Sequence, residues 1–468
     1  MVIFMIKSIR KKFIGDRHFY HRVMMLAVPM IVQNAITSFV SFLDNIMVGQ
    51  IGTEQMSGVA IVNQLLFVFI ICIFGSVSGA GIFSTQFFGK GDYEGQKHAF
   101  RFKMYASVLV ATISFVLFAF AGDFLISLYL KEGSDVGDIT LALKYGKQYL
   151  EIMMVSLIPF AITQTYVSTI RETGQTFVPM LASVVAVLSN LVLDYLLIFG
   201  KLGLPQLGVK GAALATVIAR ITEMFIVVIW THVKKDKNPY IKGVYRSPKI
   251  PKKTFMEILI KGTPLMVNEM LWAGGMAVIA QCYSVRGLDV VAAQNISSTI
   301  TNLFNIVYIQ LGCCISVIVG QYLGAGRVEE AKDADRKMIF FNVVCCLFMT
   351  LLMVLVGRFF PEIYKTHQSV KDLAGKFILI SALAMPLCAF THSTYFTLRS
   401  GGKTLITFLF DSVYTWVFLI PFAYVLSYHT SLSIITVFFL VQFTELIKVV
   451  IGYFMIKSGS WAQNIVNK

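Results

Sequence analysis

The chain has 468 residues, of which 56% are hydrophobic and only 14% charged, with a net charge of +15. Soluble domains carry about 25% charged residues, so this balance excludes an ordinary soluble globule, a disordered chain and a disulfide-stapled secreted fold. The apolar residues form long unbroken runs, unlike the alternation of a transmembrane barrel, and they suffice for twelve spanning helices of ~20–22 residues.

The basic stretch Lys7, Arg10, Lys11, Lys12, Arg17 and Arg22 precedes the first apolar run. That run is longer than a signal-peptide core and no small-residue cleavage pattern follows it, so a retained first helix with a cytoplasmic N-terminus is expected. Hydropathy places helices at 23–47, 60–86, 102–122, 142–168, 178–200, 208–232, 256–283, 290–320, 338–357, 373–398, 405–427 and 431–456. Several exceed the bilayer-spanning length, which implies tilt, kinks or extension into water. With the N-terminus inside, Lys and Arg concentrate on the loops that alternation puts inside, and the C-terminus is cytoplasmic as well. The positive charge is therefore read as loops facing anionic lipid, with no nucleic-acid partner. Cys72, Cys282, Cys313, Cys314, Cys345, Cys346 and Cys388 lie in or beside apolar segments without metal-ligand spacing, and read as packing residues.

One stretch has linker composition. Residues 233–254, VKKDKNPYIKGVYRSPKIPKKT, contain eight Lys/Arg, three Pro and one acid. They divide the chain into a first lobe (1–232), a basic cytoplasmic linker (233–254) and a second lobe (255–468), each lobe with six helices. The lobes are repeats. Gln86, Gly89, Gly91, Glu94, Lys97 and Arg101 recur 235 positions later as Gln321, Gly324, Gly326, Glu329, Lys332 and Arg336, and Pro29 recurs as Pro264. TIRETGQT at 169–176 recurs as TLRSGGKT at 397–404. Six helices per half bring the second half into the membrane in the same sense as the first. The expected fold is an all-α integral membrane protein, with twelve transmembrane helices in two parallel six-helix repeats. That design puts binding sites at the interface of the halves or within the lobes.

Ionisable residues in a membrane helix are costly and mark function or pairing. Gln33, Thr37, Ser41 and Asp44 keep one face of the first helix, spaced 4, 4 and 3. Asn190 and Asp194 share a face of the fifth helix, which Ser183 and Val187 extend. A carboxylate one turn from an amide offers hard oxygens to a small cation, and equally suits a carboxyl that carries a proton. Glu269 in the seventh helix falls at the repeat position of Asn34, and Asp411 has no acidic counterpart. Asn295, Ser298, Asn302 and Asn305 form a polar stripe on the eighth helix, open to lobe packing or cavity lining. Arg220 with Glu223, and Glu445 with Lys448, read as local ion pairs at i, i+3. His392 is either a hydrogen-bonded helix histidine or a group titrating near neutrality. The run Gly75, Ser76, Ser78, Gly79, Ala80, Gly81 and Ser84 permits close helix contact and is no phosphate loop. With no Walker motif, ATP hydrolysis has no support.

The segments AVPMIVQNAITSFVSFLDNIMVGQIG, QFFGKGD, SNLVLDYLLIFG and LRSGGKT together resemble the multidrug and toxic compound extrusion (MATE) transporters, over about residues 20–456. The resemblance implies a V-shaped pair of bundles that exports organic cations in exchange for Na⁺ or H⁺. It implies that Asp44, Asn190 and Asp194 form a cation or proton site in the first lobe. It suggests that Glu269, with Asp411 nearby, belongs to a second-lobe site known from a Na⁺-coupled branch. That branch also has an acid on helix ten, where this chain has only Ser381, Thr391, His392 and Ser393. Gln33, Thr37, Ser41, Asn302 and His392 are expected to line the cavity.

No enzymatic activity and no cofactor are expected, and no metal apart from Na⁺ at Asp44, Asn190 and Asp194. The expected partners are small organic cations and the bilayer, with a single chain as the working unit in the cell membrane. Two other readings compete with this one. A flippase for lipid-linked sugars would keep the fold, but needs basic groups for pyrophosphate, and the intramembrane charges here are mostly acidic. An intramembrane aspartyl protease would use Gly89-Lys90-Gly91-Asp92, but the repeat copy Gly324-Ala325-Gly326-Arg327 lacks the acid.

Overall fold

The computed structural model describes residues 12–129 and 139–467, so Lys7, Arg10 and Lys11 lie outside the described residues. Among these residues there is no strand. Twelve helices are long and apolar enough to cross a membrane. They are α1 (Arg17–Gly49), α2 (Thr53–Lys90), α3 (Tyr93–Ser127), α4 (Ile139–Glu172), α5 (Phe177–Phe199) and α6 (Val209–Val233) in the first half. The second half has α7 (Lys252–Ser284), α8 (Leu288–Gly324), α9 (Val328–Ile363), α10 (Gln368–Ser400), α11 (Thr404–Tyr428) and α12 (Ile434–Ser458).

Every expected span has its helix. α5 and α6 match to within a residue, whereas α2, α3, α8 and α9 run well into polar flanks. Hydropathy registers only the apolar stretch. In α3 and α9 the polar flanks carry i, i+3 ion pairs that support the helix there, Lys97–Glu94 and Lys332–Glu329. α12 starts at Ile434 rather than 431, because Ser433 caps it by accepting a hydrogen bond from the Thr436 N–H at 3.2 Å. Three helices carry an internal proline: Pro29 in α1, Pro264 in α7 and Pro386 in α10. α11 is wound as a wide π turn from Leu409 to Leu419, just before Pro421, whose missing N–H breaks the regular ladder.

The repeats carry identical turns. Gly91 and Gly326 both sit at φ +76°. In the first copy the Gly91 N–H donates to Phe88 O and the Asp92 N–H to Phe87 O. In the second, Gly326 donates to Leu323 O and Arg327 to Tyr322 O. The left-handed φ explains why glycine recurs there. Gly89 and Gly324 recur for another reason. A Cβ on Gly89 would lie 2.0 Å from the Gln321 carbonyl oxygen, and one on Gly324 would lie 1.9 Å from that of Gln86. Each motif thus packs its glycine against the other motif's glutamine backbone.

Contacts sort the chain into two units. One holds residues up to 31, 85–92 and 260 onward; the other holds 32–84 and 93–259. The start of α1 and the α2–α3 turn therefore pack with the second-half helices, and the basic stretch 233–254 packs with the first half. The reasons are specific. Arg22 donates to Gln321 Oε1 at 2.7 Å. Arg101, the last residue of the first repeat motif, donates to the carbonyls of Val244 and Lys249 at 2.8 and 3.0 Å. Tyr240, Ile241 and Val244 are buried against Phe100 and Tyr166, so the linker is an anchored strap.

The second-half unit is closed by the chain's last residues. Gln86 donates to Ser400 O and Gln463 O and accepts from the Ile465 N–H. Asn464 donates to Leu323 O at 2.8 Å, and Trp461 is 1% exposed in the core formed by Ile315, Val319 and Leu323. Trp461→Ala is expected to cost about 3 kcal/mol by loss of a fully buried ring. Thermal unfolding of the purified protein in detergent measures it, and an unchanged midpoint would show the tail to be a bystander.

The first-half unit has its apolar core around Leu66, Phe69, Ile73, Ile126, Leu157 and Ala213. The small-residue run of α2 is buried throughout, from Gly75 to Phe87, as close packing requires. Lys103 of α3 is wholly buried and donates to Glu172 Oε1 at 2.7 Å, Thr169 Oγ1 at 3.1 Å and Ser168 Oγ at 3.3 Å. In the second half the same helix pair is joined by Thr397, which donates to Asp335 Oδ1 at 2.5 Å. No disulfide links the seven cysteines.

Candidate functional site

α1 and α5 bring Asp44, Asn190 and Asp194 together in the first-half unit. Asp194 is 2% exposed and Asn190 8%. The Asp194 carboxyl is within reach of the Asp44 carboxyl, and Asn190 stands one turn before Asp194 on the same helix face. The floor is apolar: Val48, one turn beyond Asp44, and Ile198, one turn beyond Asp194, belong to the core with Tyr149. Three buried polar atoms here have no protein partner: Asp44 Oδ1, Asp194 Oδ1 and Asn190 Nδ2. Two carboxyl groups in contact repel when both are ionised, so the pair is stable only with a proton or a cation between them.

The same unit holds groups that the sequence reading missed, of which Tyr149 lies nearest the pair. Tyr149 of α4 is buried and its hydroxyl donates to Asn63 Oδ1 of α2 at 3.4 Å. Arg171 of α4 donates to Gln33 Oε1 at 2.6 Å. The arginine had a signal, since it recurs as Arg399 in the repeated turn; the tyrosine, in a helix rich in aromatics, had none. Gln33 is thus buried and held by Arg171, while Thr37 donates back to Gln33 O at 2.9 Å and is exposed, as is Ser41. Arg220 forms no ion pair with Glu223 among the described residues. It donates to Ser156 Oγ at 3.0 Å and lies 4.8 Å over the Phe160 ring, because α4 offers a hydroxyl and a ring face inside the bundle.

The second-half unit assembles a different cluster. Glu269 of α7 accepts from the Tyr395 hydroxyl of α10 at 3.1 Å. Asn268, at the repeat position of Gln33, donates to Asp411 Oδ2 at 3.1 Å and accepts from Ser412 Oγ at 2.7 Å. Lys448 of α12 donates to Asp411 Oδ1 at 3.2 Å and sits 3.6 Å from Glu445 Oε1, so the expected Glu445 pair exists and a second acid joins it. Glu269 and Asp411 therefore share one neighbourhood, with a lysine ammonium supplying the positive charge. His392 hydrogen-bonds Cys388 O through Nδ1 at 3.1 Å and meets the Tyr308 ring edge-on at 4.9 Å. Asn295, Ser298 and Asn302 are exposed on α8, outside the packed core, with Asn305 partly covered. The position of Asp44 is taken in the second half by Ile279, buried in an apolar cluster.

A family model described as MatE matches residues 29–196 and 264–425, which covers both halves. A Thermotoga maritima protein described as a probable multidrug resistance protein NorM is 22% identical over 446 residues, spanning 94% of this chain and 93% of its own. A Bacillus subtilis protein described as a probable multidrug resistance protein, YoeA, is 23% identical, over 88% of this chain and 87% of its own. Among solved structures, a variant of the Vibrio cholerae MATE transporter VcmN superposes with a TM-score of 0.84 at 16% identity, over 96% of this chain and 99% of that one.

Proposed function

Because the chain belongs to the MatE family of multidrug efflux transporters, we propose that it is a secondary active exporter of cationic or amphiphilic organic compounds. Asp44, Asn190 and Asp194 form its coupling site, and the coupling ion is the proton. The observation that carries this reading is the contact of half-buried Asp44 with buried Asp194, with one buried, unpartnered oxygen on each carboxyl. A single shared proton satisfies that geometry, and the two groups then titrate as a pair. Sodium would need several oxygens around it, as hard-cation sites provide, and Asp44, Asn190 and Asp194 offer two carboxyls and one amide.

Exchange requires that proton and substrate favour opposite access states, since a ligand shifts an equilibrium only by its differential affinity. Loss of the proton leaves a net negative site that attracts an organic cation, and protonation releases it. Thr37 and Ser41, exposed on α1, and Asn302, exposed on α8, are each taken to meet substrate on their own unit. A single chain is taken as the working unit. The basic strap 233–254 supports cytoplasmic termini in the cell membrane.

The test is efflux of a cationic dye from proteoliposomes under an imposed pH gradient and, separately, an imposed Na⁺ gradient. Efflux on the pH gradient alone, with the response lost in Asp194→Asn, is the expected result. Efflux on Na⁺ alone would reassign the ion. Efflux on neither would overturn antiport and make a lipid-linked substrate the next to try.

A further inference from the structure

The sixth helix of each half carries a basic residue at the same repeat position. Arg220 in α6 and Lys448 in α12 are 228 residues apart, the spacing that relates TIRETGQT to TLRSGGKT. Their surroundings differ. Arg220 faces a neutral hydroxyl and a ring. Lys448 faces two carboxylates, Asp411 Oδ1 at 3.2 Å and Glu445 Oε1 at 3.6 Å, and lies 5.3 Å over the Phe410 ring and 5.6 Å over that of Tyr414. Asn268 fixes the other oxygen of Asp411, and Glu445 Oε2 is buried without a partner. Two carboxylates and two aromatic faces around one ammonium are the chemistry by which proteins bind free ammonium ligands. Here the ligand is the protein's own side chain.

We infer that α11 and α12 build a primary-ammonium site whose resident cation is Lys448, and that this lysine keeps the site closed to free cations. The side chains of Asp411 and Glu445 are 17% and 19% exposed, against 9% for Lys448. The carboxylates are thus reachable once the lysine is gone. A transported or coupling cation gains Asp411 only by displacing Lys448, which leaves ion coupling to the Asp44–Asp194 pair in the other unit. The inference does not depend on that coupling role, and its test reads binding in detergent, with no gradient.

The experiment is thermal unfolding of the purified full chain, wild type and Lys448→Ala, titrated with methylammonium chloride. Tetramethylammonium chloride and sodium chloride at equal ionic strength are run beside it. Lys448→Ala is expected to melt below wild type, and methylammonium is expected to restore most of the loss saturably, as a ligand of the folded state does. Tetramethylammonium, which has no N–H to donate, and sodium should restore little, and wild type should not respond. Adding Asp411→Asn to Lys448→Ala should remove the response. No rescue by methylammonium overturns the proposal. So does equal rescue by sodium, which would mean screening, and so does an equal response in wild type, which would mean binding elsewhere. If Lys448→Ala does not survive purification in sodium chloride, it is purified with methylammonium chloride or tetramethylammonium chloride present throughout: survival with methylammonium alone is the expected rescue, and survival in neither or equally in both overturns the proposal.

Discussion

Proteoliposomes carrying Asp44→Asn are expected to release no more cationic dye on a pH gradient than empty vesicles, although the variant folds. Asparagine keeps the size of aspartate and its capacity to hydrogen-bond Asp194, but it neither takes up nor releases a proton. The Asp44–Asp194 pair then has one carboxyl, and the alternation between a shared proton and a bare negative site is gone. The stability expectation has the opposite sign. Two carboxyls pressed together are a cost that the fold carries for function, so Asp44→Asn should melt no lower than wild type. Dye efflux and a melting curve on the same preparation check both halves of this expectation. Undiminished efflux would remove Asp44 from the mechanism, and a collapsed melting curve would make it a structural residue.

The largest expected effect on stability is at Lys103. Its side chain is completely covered, and its ammonium bonds both oxygens of Glu172 along with two hydroxyls of α4. Lys103→Met removes the cation and leaves a buried carboxylate, which typically costs about 3–5 kcal/mol. Methionine is also what the second half has at the equivalent position, Met338, where it is buried in an apolar cluster. The double variant Lys103→Met, Glu172→Gln should recover half or more of the loss, because the expense of a broken buried pair lies in the orphaned charge. Melting curves of the two single variants and the double close the cycle. A double variant as poor as Lys103→Met alone would mean that the ammonium's bonds to Ser168 and Thr169 carry the stability instead.

The twelve spans and the twofold repeat were legible because both depend on short-range chemistry. A bilayer demands runs of apolar residues of one length, and a left-handed turn such as that at Gly91 and Gly326 demands glycine in each copy. The Asn190–Asp194 pair was legible for the same reason, since i and i+4 share a helix face whatever the surroundings. Side-chain partners across helices were less so. Arg220 and Glu223 have the spacing of an ion pair, yet the arginine turns to Ser156 and Phe160, which α4 places beside it. Glu445 and Lys448 have the same spacing and do pair, but nothing in the order of residues shows that Asp411, 37 positions away, completes the set.

The class of protein, the number of spans, their repetition and the helices that carry acids inside the membrane can all be read along the chain. Those properties follow from hydropathy and helical period along one chain. Helix packing in three dimensions sets which acids meet. It puts Asp44 against Asp194 with unpartnered oxygens, and it puts Asp411 against a lysine that neutralises it. The two acidic clusters look alike as composition and differ in what stands opposite them. Helix packing sets that opposition, because the energy of a buried charge depends on the few ångströms around it and not on its neighbours in the chain.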